Sequence, residues 1–314
     1  MVTEMELRDL RYFALIAEHQ NIGRAAEALD LSATALSKSL RRLEKSVGAK
    51  LVRRASKGVA LTAVGTALLT RIGPLQGMLN DVRHEATDLA RGRAGHINVG
   101  STAGTHENRI ANAYAALSKE SPTITLKVTV SNNDVLGKGL HKGEIDFCVS
   151  VSRSLSASEF VHEHLYDDPF VVFASAHHRF AKRKQVSIRD LAGERWATSN
   201  STSSPQWQAL FQAFENNGLP PPSMALETNS AALRTVAIAY SDHIGLSSRQ
   251  FLRQEAQRLP LVELPLREMS LVRRTFIIYR KGAYLSPAAL RLIEILKTQA
   301  RETSDSAREK RRKR

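Results

Sequence analysis

Hydrophobic positions at the start of the chain recur at helical spacing. Leu7, Leu10, Phe13 and Ala17 share one face of a first helix, and a second, short apolar helix is predicted from about Arg24 to Leu29. The turn Asp30-Leu31-Ser32 follows, and Ser32 is a good N-cap for a third helix, ATALSKSLRRLEKSVG, which Gly48 closes. At about 100° per residue, Leu36, Leu40, Leu43 and Val47 of that helix fall on one stripe, while Thr34, Ser37, Lys38 and Arg41 gather on another. The run LVRRASKGVALT reads as two extended segments about the turn Ser56-Lys57-Gly58, which is a small hairpin or wing.

A different pattern spans Ala63 to about Arg91. Leu68, Ile72, Leu75, Leu79, Val82, Ala86 and Leu89 are separated alternately by four and three residues, the heptad seam along which two helices pair, so these seven are the candidate dimerisation residues. A helix packed only on its own domain is the alternative. Gly73-Pro74 should bend or loosen its first part. Arg91-Gly92-Arg93-Ala94-Gly95 reads as a flexible link. Beyond it, β-rich runs such as HINVGS, TLKVTVS, FCVSV and PFVVFAS alternate with helix-like segments, which is α/β organisation. WATSN, MALET, IGLSS, LVELP and TFIIYRK continue the strands, and a last helix starts at Pro287.

Composition narrows the class. At 42% hydrophobic and 24% charged residues, the 314-residue chain is neither disordered nor fibrous, and its length suits two or three domains. The net charge of +14 favours an anionic partner such as nucleic acid. Residues 24–57 hold nine Lys or Arg against three acids, whereas residues 94–300 hold 23 against 18, an ordinary solvated surface. The last segment, RETSDSAREKRRKR, has no apolar periodicity and is expected to be disordered, at most a nonspecific phosphate contact. The single cysteine, Cys148, excludes an intrachain disulfide and a Cys-rich zinc site and fits a reducing, cytoplasmic setting. The acidic start lacks the form of a signal peptide, and no segment has about 18 uninterrupted apolar residues, so a protein away from membranes is expected.

A buried leucine stripe opposite an exposed Ser/Thr/Lys/Arg stripe, behind a short helix and a tight turn, is the design of a recognition helix in a major groove. Ala33, Thr34, Ser37 and Lys38 at its N-terminal half are then placed to meet base edges or phosphates. Arg41 and Arg54 would hold phosphates, and Lys57 at the wing tip would enter the adjacent minor groove. The run RAAEALDLSATALSKSLRRLEKSVGAKLVRRASKGVALTAVG resembles the winged helix-turn-helix of LysR-type transcriptional regulators. The pattern matches at Ala25-Ala26, Leu29, Ser32, Leu36-Ser37, Leu43-Glu44, Gly48, Leu51, Arg54, Gly58, Leu61-Thr62 and Gly65. SPTITLKV and KGEIDFCV extend the resemblance over roughly residues 6–300. The chain departs from the family's pattern at Ala33-Thr34, where Gln-Pro is usual, at Val52, where Phe is usual, and at Gly23, where a serine is common.

The resemblance implies an α/β protein of three parts. These are a winged helix-turn-helix over 1–62, a linker or dimerisation helix and hinge over 63–93, and a periplasmic-binding-protein-like effector domain over 94–300. The last is made of two α/β subdomains, about 94–163 with 268–300 and about 164–267, crossed near Val161 to Leu165 and Leu264 to Leu271. It also implies a homodimer or homotetramer on promoter DNA, contact with RNA polymerase, and a small-molecule effector, with no cofactor. Strand carboxyl ends nominate Ser101, Thr102, Asn132, Thr202, Ser203 and Thr228 as effector-binding residues. Their hydroxyls, with helix N-termini, suit an organic acid; routine turns and caps are the alternative. His162-Glu163-His164 and His177-His178 lack a third ligand for a metal, and the glycines at 137, 139 and 143 make no dinucleotide fingerprint. Cys148, in a core-like strand, reads as a buried inert thiol. No catalytic constellation is present, so an enzyme is not expected. The competing reading is a cytoplasmic solute-binding module with a basic N-terminal oligomerisation domain.

Overall fold

The computed structural model describes residues 5–56, 58–91, 95–102, 105–151, 155–199, 205–228, 230–266 and 272–312. The chain divides into two compact units, one comprising 1–90 with 137–145 and the other 91–136 with 146–314.

In the first unit α1 (Leu7–His19), α2 (Ile22–Glu27) and α3 (Ala33–Val47) precede a hairpin of β1 (Val52–Ala55) and β2 (Gly58–Leu61), and α4 (Ala63–Arg91) follows. The three helices close over Leu10, Phe13, Ile16, Ala25, Ala26, Leu36, Leu40, Leu43 and Leu51. On α1 the buried row is Leu10, Phe13 and Ile16, while Leu7 in the first turn is 51% exposed. The Ser32 hydroxyl accepts the Ala35 N–H at 3.1 Å, and Gly48, in the left-handed region at φ 76°, ends the helix by donating its N–H to the Glu44 carbonyl. At Gly65 a Cβ would stand 2.0 Å from the Leu51 carbonyl oxygen, so a side chain there would push the first turn of α4 off the chain entering the wing.

The heptad seam of α4 divides in two. Ile72 is buried in the core of this unit, with Leu68 and Leu75 packed against it, whereas Leu79, Val82, Ala86 and Leu89 are exposed. The short three-helix core needs a lid, and the first turns of α4 supply it; the pairing seam is therefore confined to the later turns. The helix runs unbroken through Pro74. The missing N–H costs the bond to the Thr70 carbonyl, and Thr70 is exposed to water. The residues from Gly137 to Ile145 also pack in this unit. Asn80 Nδ2 donates to the Lys142 carbonyl at 2.7 Å, and Gly143, at φ 65°, turns the chain where a Cβ would lie 3.2 Å from Gly77 Cα.

The second unit holds one sheet with three apolar clusters. β3 (His96–Ser101) lies between β4 (Thr125–Val130) and β5 (Phe147–Ser150), parallel to both, and β11 (Val272–Arg280) runs antiparallel beside β5. α5 (Thr105–Glu120) and α10 (Pro287–Arg312) bury Ile110, Leu117, Leu292 and Leu296 against Ile97, Val99, Phe147 and Ile277. β7 (Arg195–Thr198) lies between β8 (Ser223–Glu227) and β9 (Ile244–Ser248), again parallel to both, with α7 (Pro205–Asn216), α8 (Ala231–Ala239), α9 (Arg249–Glu255) and β10 (Leu261–Leu264) around them. Trp196 and Phe214 centre one of the clusters there, and Phe173, Ala197 and Ile238 another.

β6 (Phe160–Ser175) joins the two halves. It pairs with β11 through Pro169 and with β9 from Phe170 onward. The passage thus falls beyond the expected Val161–Leu165, because Leu165 and Tyr166 are still held in the first core. Most of the return passage expected over Leu264–Leu271, like most of the link around Gly92, lies outside the described residues. The tail is a correction: from Arg301 the backbone continues α10 to Arg312 instead of being disordered. Extending an established helix costs far less than nucleating one, and Ala, Arg, Glu and Lys are good helix formers.

Candidate DNA interface and effector cleft

The two stripes of α3 separate as the periodicity requires. Leu36, Leu40 and Leu43 are buried, while Ala33, Thr34, Lys38 and Arg41 are exposed and Ser37 is half-buried. Arg53 and Arg54 on β1 are also exposed, and Lys57 lies outside the described residues.

Two polar networks hold this surface. The Asp9 carboxylate, 1% exposed on α1, accepts the Ser39 hydroxyl at 2.6 Å and a forked pair of bonds from Arg42. Burial raises the Asp9 pKa, but the bonds from Arg42 and Ser39 outweigh it and hold the carboxyl below its ordinary value. Arg42 is thereby committed to the fold, leaving Lys38, Arg41 and Lys45 as the cations that the helix face offers to solvent. Glu44, also buried, accepts the Leu51 N–H at 3.0 Å and Lys50 Nζ at 2.6 Å, tying the end of α3 to the start of the wing. Sequence reasoning missed both networks; the only visible signal was an acid inside each apolar run.

In the second unit, three of the nominated effector residues come together at the carboxyl ends of β3 and β4. Ser101 is fully buried, its carbonyl accepts the Ser131 N–H at 3.0 Å, and its hydroxyl donates to the Thr102 carbonyl at 2.9 Å. The Thr102 hydroxyl is buried without a partner among the described residues. Asn132 instead caps α6 (Asn133–His141), its Oδ1 accepting the Val135 N–H at 3.0 Å, as a routine cap would. Thr228 stands at the other sheet edge, where its N–H donates to the Thr198 carbonyl at 3.0 Å. Thr202 and Ser203 lie outside the described residues. Missed from sequence was buried Ser150, which donates to Asn133 Oδ1 at 2.7 Å beside the first group.

Other polar groups are accounted for by packing. His162 and His164 each set an edge on Phe276, and His178 meets Glu194 at 3.3 Å in the interior. Among the described residues no group of three or more His, Cys, Asp or Glu is arranged to hold a metal ion. Cys148 is buried, and burial pushes its thiol up to about 12.

Comparison with known proteins decides the family. Residues 7–66 match the model of the bacterial regulatory helix-turn-helix protein, lysR family, and residues 90–301 match the LysR substrate binding domain. The chain belongs to the LysR family. As a LysR-type protein it is a DNA-binding transcriptional regulator with an effector-binding domain. Its relatives include the RuBisCO operon transcriptional regulator of Allochromatium vinosum, 29% identical over 94% of this chain and 97% of that one. Another is the HTH-type transcriptional regulator GbpR of Azospirillum brasilense, 25% identical over 91% of this chain and 84% of that one. The LysR regulator CbnR shares the fold at a TM-score of 0.61 and 20% identity, covering 94% of this chain and 99% of that one. The same regulator has been solved in complex with its target DNA. No described helix of this LysR protein is long and apolar enough to cross a membrane.

Proposed function

We propose that this regulator reads promoter DNA with the exposed face of α3. Ala33, Thr34, Ser37 and Lys38 face base edges and nearby phosphates, and Arg41 and Arg54 hold the phosphate backbone, with Lys57 extending the contact from the wing. The carrying observation is the exposure of Thr34, Lys38 and Arg41 on the helix face opposite buried Leu36, Leu40 and Leu43. With alanine and threonine in place of the family's usual Gln-Pro, the helix offers a methyl and a hydroxyl where a long amide would otherwise reach, so its operator differs at the bases beneath residues 33 and 34.

The exposed later turns of α4 pair two subunits, and a small effector at the strand ends around Ser101, Thr102 and Thr228 shifts the equilibrium between two arrangements of the oligomer, altering DNA bending and contact with RNA polymerase. The test is DNA binding by the Lys38→Ala/Arg41→Ala protein. We expect weaker binding and a salt slope shallower by about 0.9 for each phosphate that is no longer neutralised. Unchanged affinity and slope would place the DNA face elsewhere.

A further inference from the structure

We infer that the effector is an anion, carried as a carboxylate or a group of like charge, and that Arg234 is its charge partner. This deepens the effector reading above and rests on it. Arg234 lies on α8, which follows β8 directly, so the N-terminal turns of the helix stand at the carboxyl end of the strand, where open α/β sheets take ligands. Along the buried face of α8, Ile238 and Ala239 enter an apolar cluster with Phe173 and Ala197. One turn earlier the same face carries a guanidinium, only 7% exposed.

Its hydrogen bond runs back to the strand end: Nη1 donates to the Thr228 carbonyl at 3.1 Å. Among the described residues no carboxylate comes within ion-pair distance, and burial, unopposed by any neighbouring charge, lowers its pKa. Two buried carboxylates of the effector domain, by contrast, have cations beside them, and buried Arg109, which like Arg234 has no carboxylate within ion-pair distance among the described residues, rests on an aromatic ring. Glu194 is met by Arg179 and His178, Glu255 by Arg258, and the Arg109 guanidinium lies on the Tyr166 ring at 4.2 Å while donating to Gln250.

A buried cation with no counter-charge is costly and survives where something else repays it. Beside it a further feature favours negative charge, the N-terminus of the nine-residue α8. A guanidinium presents a planar fork that fits a carboxylate through two parallel bonds, and Nη1 is already anchored by Thr228, so Nη2 and Nε remain to meet the ligand.

Thermal unfolding of the full-length protein tests this, with benzoate, succinate and acetate each compared against its neutral amide. At least one carboxylate is expected to raise the unfolding midpoint while its amide does not. In Arg234→Met that response disappears, and the unliganded midpoint stays level or rises because an uncompensated buried charge is gone. Arg234→Lys, which keeps the charge, is expected to respond with affinity reduced about ten-fold or more. Equal carboxylate responses in wild type and both variants would overturn the assignment of Arg234. Stabilisation by an amide as large as by its acid would overturn the anionic class while leaving a small-molecule effector in place. No response of the wild type to any probe would overturn the inference, and an Arg234→Met protein less stable than wild type would then make Arg234 a structural residue.

Discussion

At the scale of single residues, the proposed DNA face depends on side chains buried beneath it. Asp9 fixes Ser39 and Arg42, and so sets the rotation of α3 against α1. Replacing it by asparagine takes the charged partner from part-exposed Arg42, which keeps only Glu6 at 3.7 Å, and about 1–3 kcal/mol of stability is expected to go, measured by denaturant unfolding at neutral pH. Because the folded Asp9 pKa is depressed, its contribution is present above the unfolded value near 3.8 and is lost as pH falls through the folded value. The wild-type and Asp9→Asn curves should therefore converge in acid; a gap independent of pH would contradict the ionic assignment. Cys148 sets a second expectation. With its thiol pushed up to about 12 by burial it holds almost no thiolate at neutral pH, so hydrogen peroxide should leave DNA binding unchanged. Loss of DNA binding on oxidation that Cys148→Ser prevents would show that the thiol reacts.

At the scale of elements, the helices of the DNA-binding unit follow from local rules that the chain states openly: a serine cap, a glycine stop and leucines at three and four residues. Less visible was what each element packs on. The α4 heptads look uniform in sequence, yet Ile72 is 2% exposed and Val82 65%. A repeat records which positions are apolar, not whether the neighbour is the same chain or another. Ile72→Ala is accordingly expected to destabilise the fold by about 2–5 kcal/mol. Val82→Glu with Leu89→Glu should shift the protein to smaller species in light scattering and lower the unfolding midpoint only by the association that is lost; a persistent dimer would contradict the assignment of the later turns. α9 was not foreseen because its seven residues are too few to show a period, and only the Ser248 cap marks it. Ser101, Thr102 and Thr228 were legible as residues at strand ends. Arg234 was not, since a lone arginine in an apolar helix gives no hint that its charge is left uncompensated.

At the scale of the whole molecule, the basic charge gathered on a short N-terminal stretch and the near-balanced charge over 94–300 divide the labour between holding a polyanion and holding a small solute. The central claim is that α3 reads sequence and does more than attract phosphate. The measurement that bears on it most directly is the affinity of the purified full-length regulator for its own upstream region and for an unrelated duplex of equal length, followed across a salt series. The account predicts preferential binding to the upstream region that persists as salt rises and is abolished in Lys38→Ala/Arg41→Ala. Equal affinity for both duplexes, falling with the same salt slope, would contradict it and leave phosphate attraction alone.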